Sequence, residues 1–85
     1  MTVHELKVWP VYFDALRTRR KTFEVRRNDR NYQLHDWLIL REWNPSTAEY
    51  TGRVLRRRVS YISDLAIIGI DGFVAMGIKP LRGRA

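Results

Sequence analysis

The sequence predicts a mostly β domain of the α+β class, a small barrel of about five or six strands with one or two short helices. Apolar and polar residues alternate in several short segments, as in half-buried strands. One early segment instead has helical spacing, and most connections are too short for parallel crossovers. The 85 residues are enough for one domain, predicted over residues 2–80, with residues 81–85 as a basic C-terminal tail.

The first two elements are predicted to be a strand and a short helix. In "VHELKVW", alternate residues from His4 to Val8 share one face, which is typical of a strand with one side buried. Pro10 follows, and proline is favoured at the first position of a helix. Apolar residues then recur at helical spacing, so we expect a helix over about residues 10–18.

The next strand, "KTFEVRR", determines the functional prediction. Strict alternation places Phe23 and Val25 on one face. The opposite face carries Thr22, Glu24 and Arg26. Because apolar side chains are usually buried, we expect Phe23 and Val25 to point into the core. Glu24 and Arg26 are then expected to point toward a cleft.

Three further strands are predicted after the loop "NDRN". They are "DWLILREW", "RVLRRRVSYIS" and "FVAMGIKPL", with the hairpin loop "NPSTAEYTG" after the first and the connector "DLAIIGIDG" before the last. A break in the alternation at Val54 and Leu55 indicates a bulge. The run from Arg56 to Arg58 must place arginines on both faces of its strand, so at least one is expected to point inward unless the strand bulges there.

The charge of the chain favours a polyanionic partner. The net charge is +7, the pI is about 10.6, and most basic residues are arginine, which makes bidentate contacts with phosphate. Nucleic acid is therefore favoured over an acidic protein or an anionic membrane.

The remaining composition argues against several other kinds of site. The chain has no cysteine, and its two histidines lack a metal-motif spacing, so neither a metal nor another cofactor is expected. No apolar run is long enough for a membrane span, and the start of the chain does not resemble a signal peptide. We expect a cytoplasmic protein without a membrane partner, monomeric by preference, with an oligomer left open. Asp36 is predicted to bind backbone N–H groups in a turn.

The segment "RRKTFEVR" resembles the signature of ASCH domains, which are small PUA-like β-barrels with the pattern Gly-x-Lys-x-x-Glu-x-Arg. Lys21, Glu24 and Arg26 match that pattern, and Arg19 stands at its glycine position. Nearly the whole chain is similar to the DUF3850 branch of that superfamily, which is common in bacterial and phage genomes. In "QLHD", His35 stands where similar proteins usually have glycine before the aspartate.

The resemblance implies a closed or nearly closed barrel with a cleft beside the first helix. ASCH domains are thought to bind RNA, some relatives hydrolyse an acylated cytidine, and others have been assigned ribonuclease activity. In the amidohydrolase relatives, a lysine acts with a threonine three residues later and with a glutamate from a later segment. Lys21 matches that lysine, but Glu24 occupies the threonine position, and the segment 65–72 does not obviously supply the later glutamate.

The lead hypothesis is a nucleic-acid-binding module for RNA or a modified nucleotide, with the ligand in a basic cleft next to the first helix. Lys21, Glu24 and Arg26 can hold one another through charge-assisted hydrogen bonds. Glu24 can then accept a hydrogen bond from a base while Arg26 holds a phosphate. Trp9 and Tyr32 are the aromatic residues predicted to stack on bases. The predicted binding residues are Arg19, Arg20, Lys21, Thr22, Glu24, Arg26, Arg56, Arg58, Trp9 and Tyr32.

Three alternatives stay open at this point. One is a small hydrolase of a modified nucleoside, similar to an N4-acylated cytidine amidohydrolase, or of RNA, with Lys21 and Glu24 as catalytic residues. Another is a phage-type interaction module whose basic face meets an acidic partner. The third is purely structural: Glu24 neutralises Arg26 and a cross-strand arginine such as Arg56 or Arg58. The arginine run itself either tracks phosphates or keeps an edge strand solvated.

Overall fold

A computed structural model describes residues 1–80 as a curled five-stranded sheet, a half-barrel, with an α-helix packed into it. The elements follow in the order β1 (Val3–Val8), α1 (Pro10–Arg17), β2 (Phe23–Arg27), β3 (Trp37–Asn44), β4 (Glu49–Asp64), a 3₁₀-helix (Leu65–Ile68) and β5 (Phe73–Pro80). The predicted mostly β fold is confirmed. The predicted basic tail, residues 81–85, lies outside the described residues.

The order of strands in the sheet is β1-β3-β4-β5-β2. β1 pairs with β3 in parallel, whereas the pairs β3–β4, β4–β5 and β5–β2 are antiparallel. A parallel pair needs a long crossover, and the segment containing α1 and β2 supplies it. β2 itself joins the far edge of the sheet, beside β5. The two edge strands of the half-barrel are therefore β1 and β2.

The core lies on the concave side of the sheet, where α1 contributes Phe13 and Leu16. Both side chains are fully buried and belong to the same cluster as Leu38 and Leu40 of β3. The predicted alternation of β1 is confirmed, since His4, Leu6 and Val8 are its buried residues. This packing fixes the start of α1 above the end of β1.

Two arginine side chains bridge the seam between the edge strands. Arg26 donates from Nη2 to the carbonyl of Lys7 at 2.9 Å. Arg30 donates from Nη1 to the carbonyl of Glu5 at 2.7 Å. The carbonyls of an edge strand have no neighbouring strand to bond to, and here two guanidinium groups take its place.

Strand β4 contains two irregularities in register, one between the partners of Arg41 and Trp43 and one at Ser60. The first lies on the residues just before Val54, whereas Val54 and Leu55, where the sequence predicted the bulge, pair regularly with Arg41 and Leu40. The arginine run alternates as expected: Arg57 points inward, is buried, and donates to the carbonyl of Leu16 at 3.1 Å. Burial, together with the charge of Arg19, lowers the pKa of Arg57.

Asp36 is the buried turn residue that the sequence predicted. Its carboxylate accepts hydrogen bonds from the backbone N–H groups of Thr2 and Gln33, at 2.9 and 3.0 Å, and from Nε2 of His4 at 2.8 Å. Burial alone would raise the pKa of Asp36. The three hydrogen bonds outweigh that effect, so the pKa lies below its ordinary value.

Arg19 and His35 have left-handed backbone conformations, with φ of 63° and 74°. Arg19 follows the last turn of α1, and its N–H donates to the carbonyl of Leu16. Glycine adopts positive φ without steric cost, whereas other residues crowd their own Cβ. These are the two positions at which the resemblance implies glycine, and the backbone gives the physical reason for that preference.

Candidate functional site

A cleft of about 460 Å³ lies at the seam, between the end of β1, the start of α1 and strand β2. It is the kind of cleft beside the first helix that the resemblance implies. The residues that line it come from all three elements and from the loop before β2. They are Lys7, Val8, Trp9, Tyr12, Lys21, Glu24, Val25 and Arg26.

Three charged side chains of the cleft form the predicted hydrogen-bonded triad. Lys21 donates from Nζ to Oε1 of Glu24 at 2.9 Å, and Arg26 donates from Nε to Oε2 at 2.8 Å. Glu24 is only 3% exposed, so its charge depends on these two donors. The alternative partners proposed for Glu24, Arg56 and Arg58, lie on the convex face of β4. That part of the structural interpretation is wrong.

The predicted orientation of β2 is also wrong. Phe23 and Val25 are about half-exposed on the convex face, while Glu24 points to the concave side opposite Met76 of β5. The alternation itself is correct, because it fixes which residues share a face. It does not determine which face is buried. Lys21 and Arg26 satisfy the carboxylate, so its burial is tolerated.

The cleft offers hydrogen-bond donors to a ligand. The side chains of Lys21 and Arg26 are 22% and 27% exposed. Lys21 has three N–H donors, of which one bonds to Glu24. Arg26 has five, of which one bonds to Glu24 and one to the carbonyl of Lys7. The donors that remain suit oxygen acceptors such as phosphate, carboxylate or a base carbonyl.

Two aromatic rings form the side of the cleft. Trp9, at the N-cap of α1, is 54% exposed, and Tyr12 is 53% exposed. The ammonium of Lys21 lies 5.1 Å from the centroid of the Tyr12 ring, within the range of a cation–π contact. The sequence interpretation did not select Tyr12, because it preferred Trp9 and Tyr32 as the stacking residues. The available signal was its spacing of three from Trp9, which places both on one side of the first turn.

Tyr32 does not have the predicted role of a stacking platform. Its ring is buried and packs edge-on against the His4 ring, with centroids 4.8 Å apart. Burial raises the pKa of the Tyr32 phenol. The loop after β2 folds back over the core, whereas the prediction treated the loop as exposed.

The other predicted site residues lie outside the cleft. Arg19, Arg20 and Thr22 are exposed in the loop between α1 and β2, on either side of Lys21. Arg56 and Arg58 are on the convex face. Lys7 lines the cleft and was missed, although strand alternation already placed it on the same face as Trp9.

The described part of the chain, residues 1–80, has no helix of the length and apolarity that crossing a membrane requires. Within the same residues, no group of three or more histidine, aspartate or glutamate side chains is arranged to hold a metal ion.

Comparison with known proteins shows the family to which the chain belongs and a phage relative. Residues 3–78 match the family described as "Domain of unknown function (DUF3850)". Over 64 residues the chain is 39% identical to a protein of Escherichia phage P2 called "Uncharacterized 12.9 kDa protein in GpA 3'region". The match covers 75% of this chain and 57% of that protein, so the chain spans little more than half the length of this relative.

Proposed function

The chain belongs to the DUF3850 family, and we propose that it binds an unpaired nucleotide of RNA, or a modified nucleotide, in the cleft beside α1. One arrangement carries the proposal: two half-exposed aromatic rings stand beside two cations that a buried carboxylate holds in place. The size of the cleft supports it, because about 460 Å³ falls within the range of roughly 300–1,000 Å³ that is usual for small-ligand pockets.

The aromatic rings supply a surface for the base. Trp9 and Tyr12 keep about half of their area exposed although the core lies directly beneath them. Stacking a base on such a ring contributes about 1–3 kcal/mol and requires a base outside a duplex, since within a duplex the neighbouring base pairs cover both faces. This favours single-stranded RNA over a duplex.

The cations supply contacts for phosphate or base oxygens. Glu24 holds Lys21 and Arg26 in fixed positions, so a ligand meets donors that are already oriented. Each Glu24 oxygen already accepts one of these bonds, which makes positioning its main role and contact with a base amine a secondary one. Arginine and lysine donors of this kind contact phosphate and the acceptor atoms of bases.

The whole chain adds a long-range attraction for RNA. The net charge of +7 draws a polyanion toward the surface before any specific contact forms. The matching Lys-x-x-Glu-x-Arg spacing further leads us to place this family within the ASCH branch of PUA-like barrels, whose members are thought to bind RNA. In that assignment the triad at Lys21, Glu24 and Arg26 is the shared feature.

Binding of short fluorescent single-stranded RNA, measured by anisotropy, tests the proposal. Removing the ring with Trp9→Ala is expected to weaken binding about tenfold, the equivalent of one lost stacking contact. Tyr61→Ala is the control, because Tyr61 is an exposed aromatic residue of β4 that lies outside the cleft. Glu24→Gln is expected to lower the overall affinity, because Lys21 and Arg26 lose the acceptor that positions them, and to change the preference among bases less.

Equal losses in the Trp9 and Tyr61 variants would contradict the proposal, as would the absence of binding by the unaltered protein at low salt. Affinity is also expected to fall with salt by a logarithmic slope of about 0.7 for each phosphate contacted. An affinity that does not change with salt would mean that the protein contacts no phosphate of the RNA.

The hydrolase interpretation is a second candidate because Lys21 and Glu24 are hydrogen-bonded inside the cleft. As an ammonium, Lys21 has three N–H donors and no lone pair for a base or nucleophile. Catalysis by Lys21 therefore requires it first to give up a proton, and the structure shows only the hydrogen bond to Glu24. Incubation with N4-acetylcytidine and with unstructured RNA, followed by chromatography, decides the matter: no turnover at high protein concentration removes this candidate.

A further inference from the structure

A second pocket, of about 490 Å³, lies around residues 58–60 in the interior of β4 and shares no residue with the cleft. Three strands and the turn before β3 contribute to it. Its lining is His35, Trp37, Arg58, Val59, Ser60, Lys79 and Pro80.

Strand register brings together the side chains that define this pocket. Trp37 of β3 pairs with Arg58 of β4, and Arg58 pairs with Lys79 of β5. An indole, a guanidinium and an ammonium therefore form one row across three adjacent strands. The guanidinium of Arg58 lies 5.4 Å from the Trp37 ring centroid. The irregular register after Val59 places the hydroxyl group of Ser60 beside this row.

The pocket has positive charge without a compensating acid. Its lining holds Arg58 and Lys79 but no aspartate or glutamate, in contrast to the cleft with Glu24. Within residues 1–80, neither Arg58 nor Lys79 has a carboxylate within 4.0 Å. The Nε atom of Arg58 is buried and has no hydrogen-bond partner in that part of the chain. A buried donor of this kind needs an acceptor.

From these observations we propose that the pocket binds the phosphate monoester group of a ligand that also carries an aromatic ring, such as a nucleotide, with that ring against Trp37. The phosphate oxygens accept from Arg58, Lys79 and the hydroxyl of Ser60, donors that together match a phosphate monoester. The flat face of Trp37 favours a nucleotide over a phosphate without a ring. This site is independent of the nucleotide proposed for the cleft.

Two-dimensional NMR titration with uridine 5′-monophosphate tests the second pocket residue by residue. Saturable shifts are expected at the amides of His35, Ser60 and Lys79, reported separately from shifts at Lys21 in the cleft. Inorganic phosphate is expected to compete at the same amides with lower affinity, and uridine to bind much more weakly than its monophosphate. These arms distinguish a nucleotide from free phosphate.

Arg58→Gln is the decisive variant, with Arg56→Gln as its control on the same face and strand. Arg58→Gln is expected to weaken binding at the second pocket about tenfold, and Arg56→Gln less than twofold. Equal losses in the two variants, or uridine binding as tightly as its monophosphate, would overturn the proposal. Shifts at these amides that do not saturate in the unaltered protein would overturn it as well. This measurement uses no variant, so it does not depend on whether the variants fold.

Discussion

Replacing Glu24 with glutamine tests whether the buried carboxylate stabilises the folded protein through its bonds to Lys21 and Arg26. Glutamine keeps the shape of the side chain but removes its charge and leaves one acceptor oxygen where there were two. Lys21 and Arg26 now donate to different oxygens, at 2.9 and 2.8 Å. In the variant one of the two cations faces an NH₂ group, so it loses its partner.

The expected loss of stability is about 2 kcal/mol. Removing one partner of a fully buried ion pair typically costs about 3–5 kcal/mol. The two cations are 22% and 27% exposed, so water replaces part of what they lose and the loss is smaller. In a domain of this size, 1 kcal/mol corresponds to roughly 4–8 °C, so Tm is expected to fall by about 10 °C.

Urea denaturation followed by circular dichroism measures this change directly. Glu49→Gln is the matched control, because Glu49 is exposed at the start of β4 and its replacement is expected to change stability by less than about 0.5 kcal/mol. The slope of the unfolding free energy with urea should remain the same in both variants. A Glu24→Gln protein within about 0.5 kcal/mol of the unaltered one would refute the reasoning that the triad is a stabilising buried cluster.

Three further predictions concern stability. Because the pKa of Asp36 is lowered in the folded protein, its contribution to stability is present above the unfolded pKa of about 4 and is lost as pH falls below it. Asp36→Asn should therefore make the free energy of unfolding depend less on pH in the acid range. An unchanged slope of that free energy with pH contradicts this. At His35, and separately at Arg19, the glycine variant should be about 1 kcal/mol more stable than the alanine variant because φ is positive; equal Tm values contradict this. Arg57→Met should lower the free energy of unfolding by about 0.5–1.5 kcal/mol, since the carbonyl of Leu16 loses the guanidinium donor and keeps only the N–H of Arg19; an unchanged urea midpoint refutes that role.

Most of the fold could be predicted from local patterns. The alternation from His4 to Val8 and the proline at position 10 are enough to locate β1 and the start of α1, because each reflects a short-range preference. The parallel pairing of β1 with β3 could not be derived in the same way. It depends on β2 joining the opposite edge of the sheet, which is a long-range choice.

The site was predictable in its composition but less so in its geometry. The spacing of Lys21, Glu24 and Arg26 identified the triad, but the rule that apolar residues are buried assigned Phe23 to the wrong face. At this edge strand Phe23 and Val25 both lie on the half-exposed face, and the charged triad occupies the concave side instead. Tyr32 was misplaced because the path of a loop is set by tertiary contacts such as that with His4.

The hydrogen bonds that Arg26 and Arg30 make across the seam couple the cleft to the contact between the edge strands. Arg26 connects the two edge strands of the half-barrel through the carbonyl of Lys7, and it also faces the cleft. A bound molecule that draws the guanidinium away from that carbonyl therefore weakens the contact between β1 and β2. By thermodynamic reciprocity, a stronger contact between these strands weakens binding of that molecule. Amide hydrogen exchange along β1 should thus report on occupancy of the cleft, while exchange in β4, which is paired on both sides, stays slow. Arg26 therefore belongs both to the contact between the two edge strands and to the lining of the cleft.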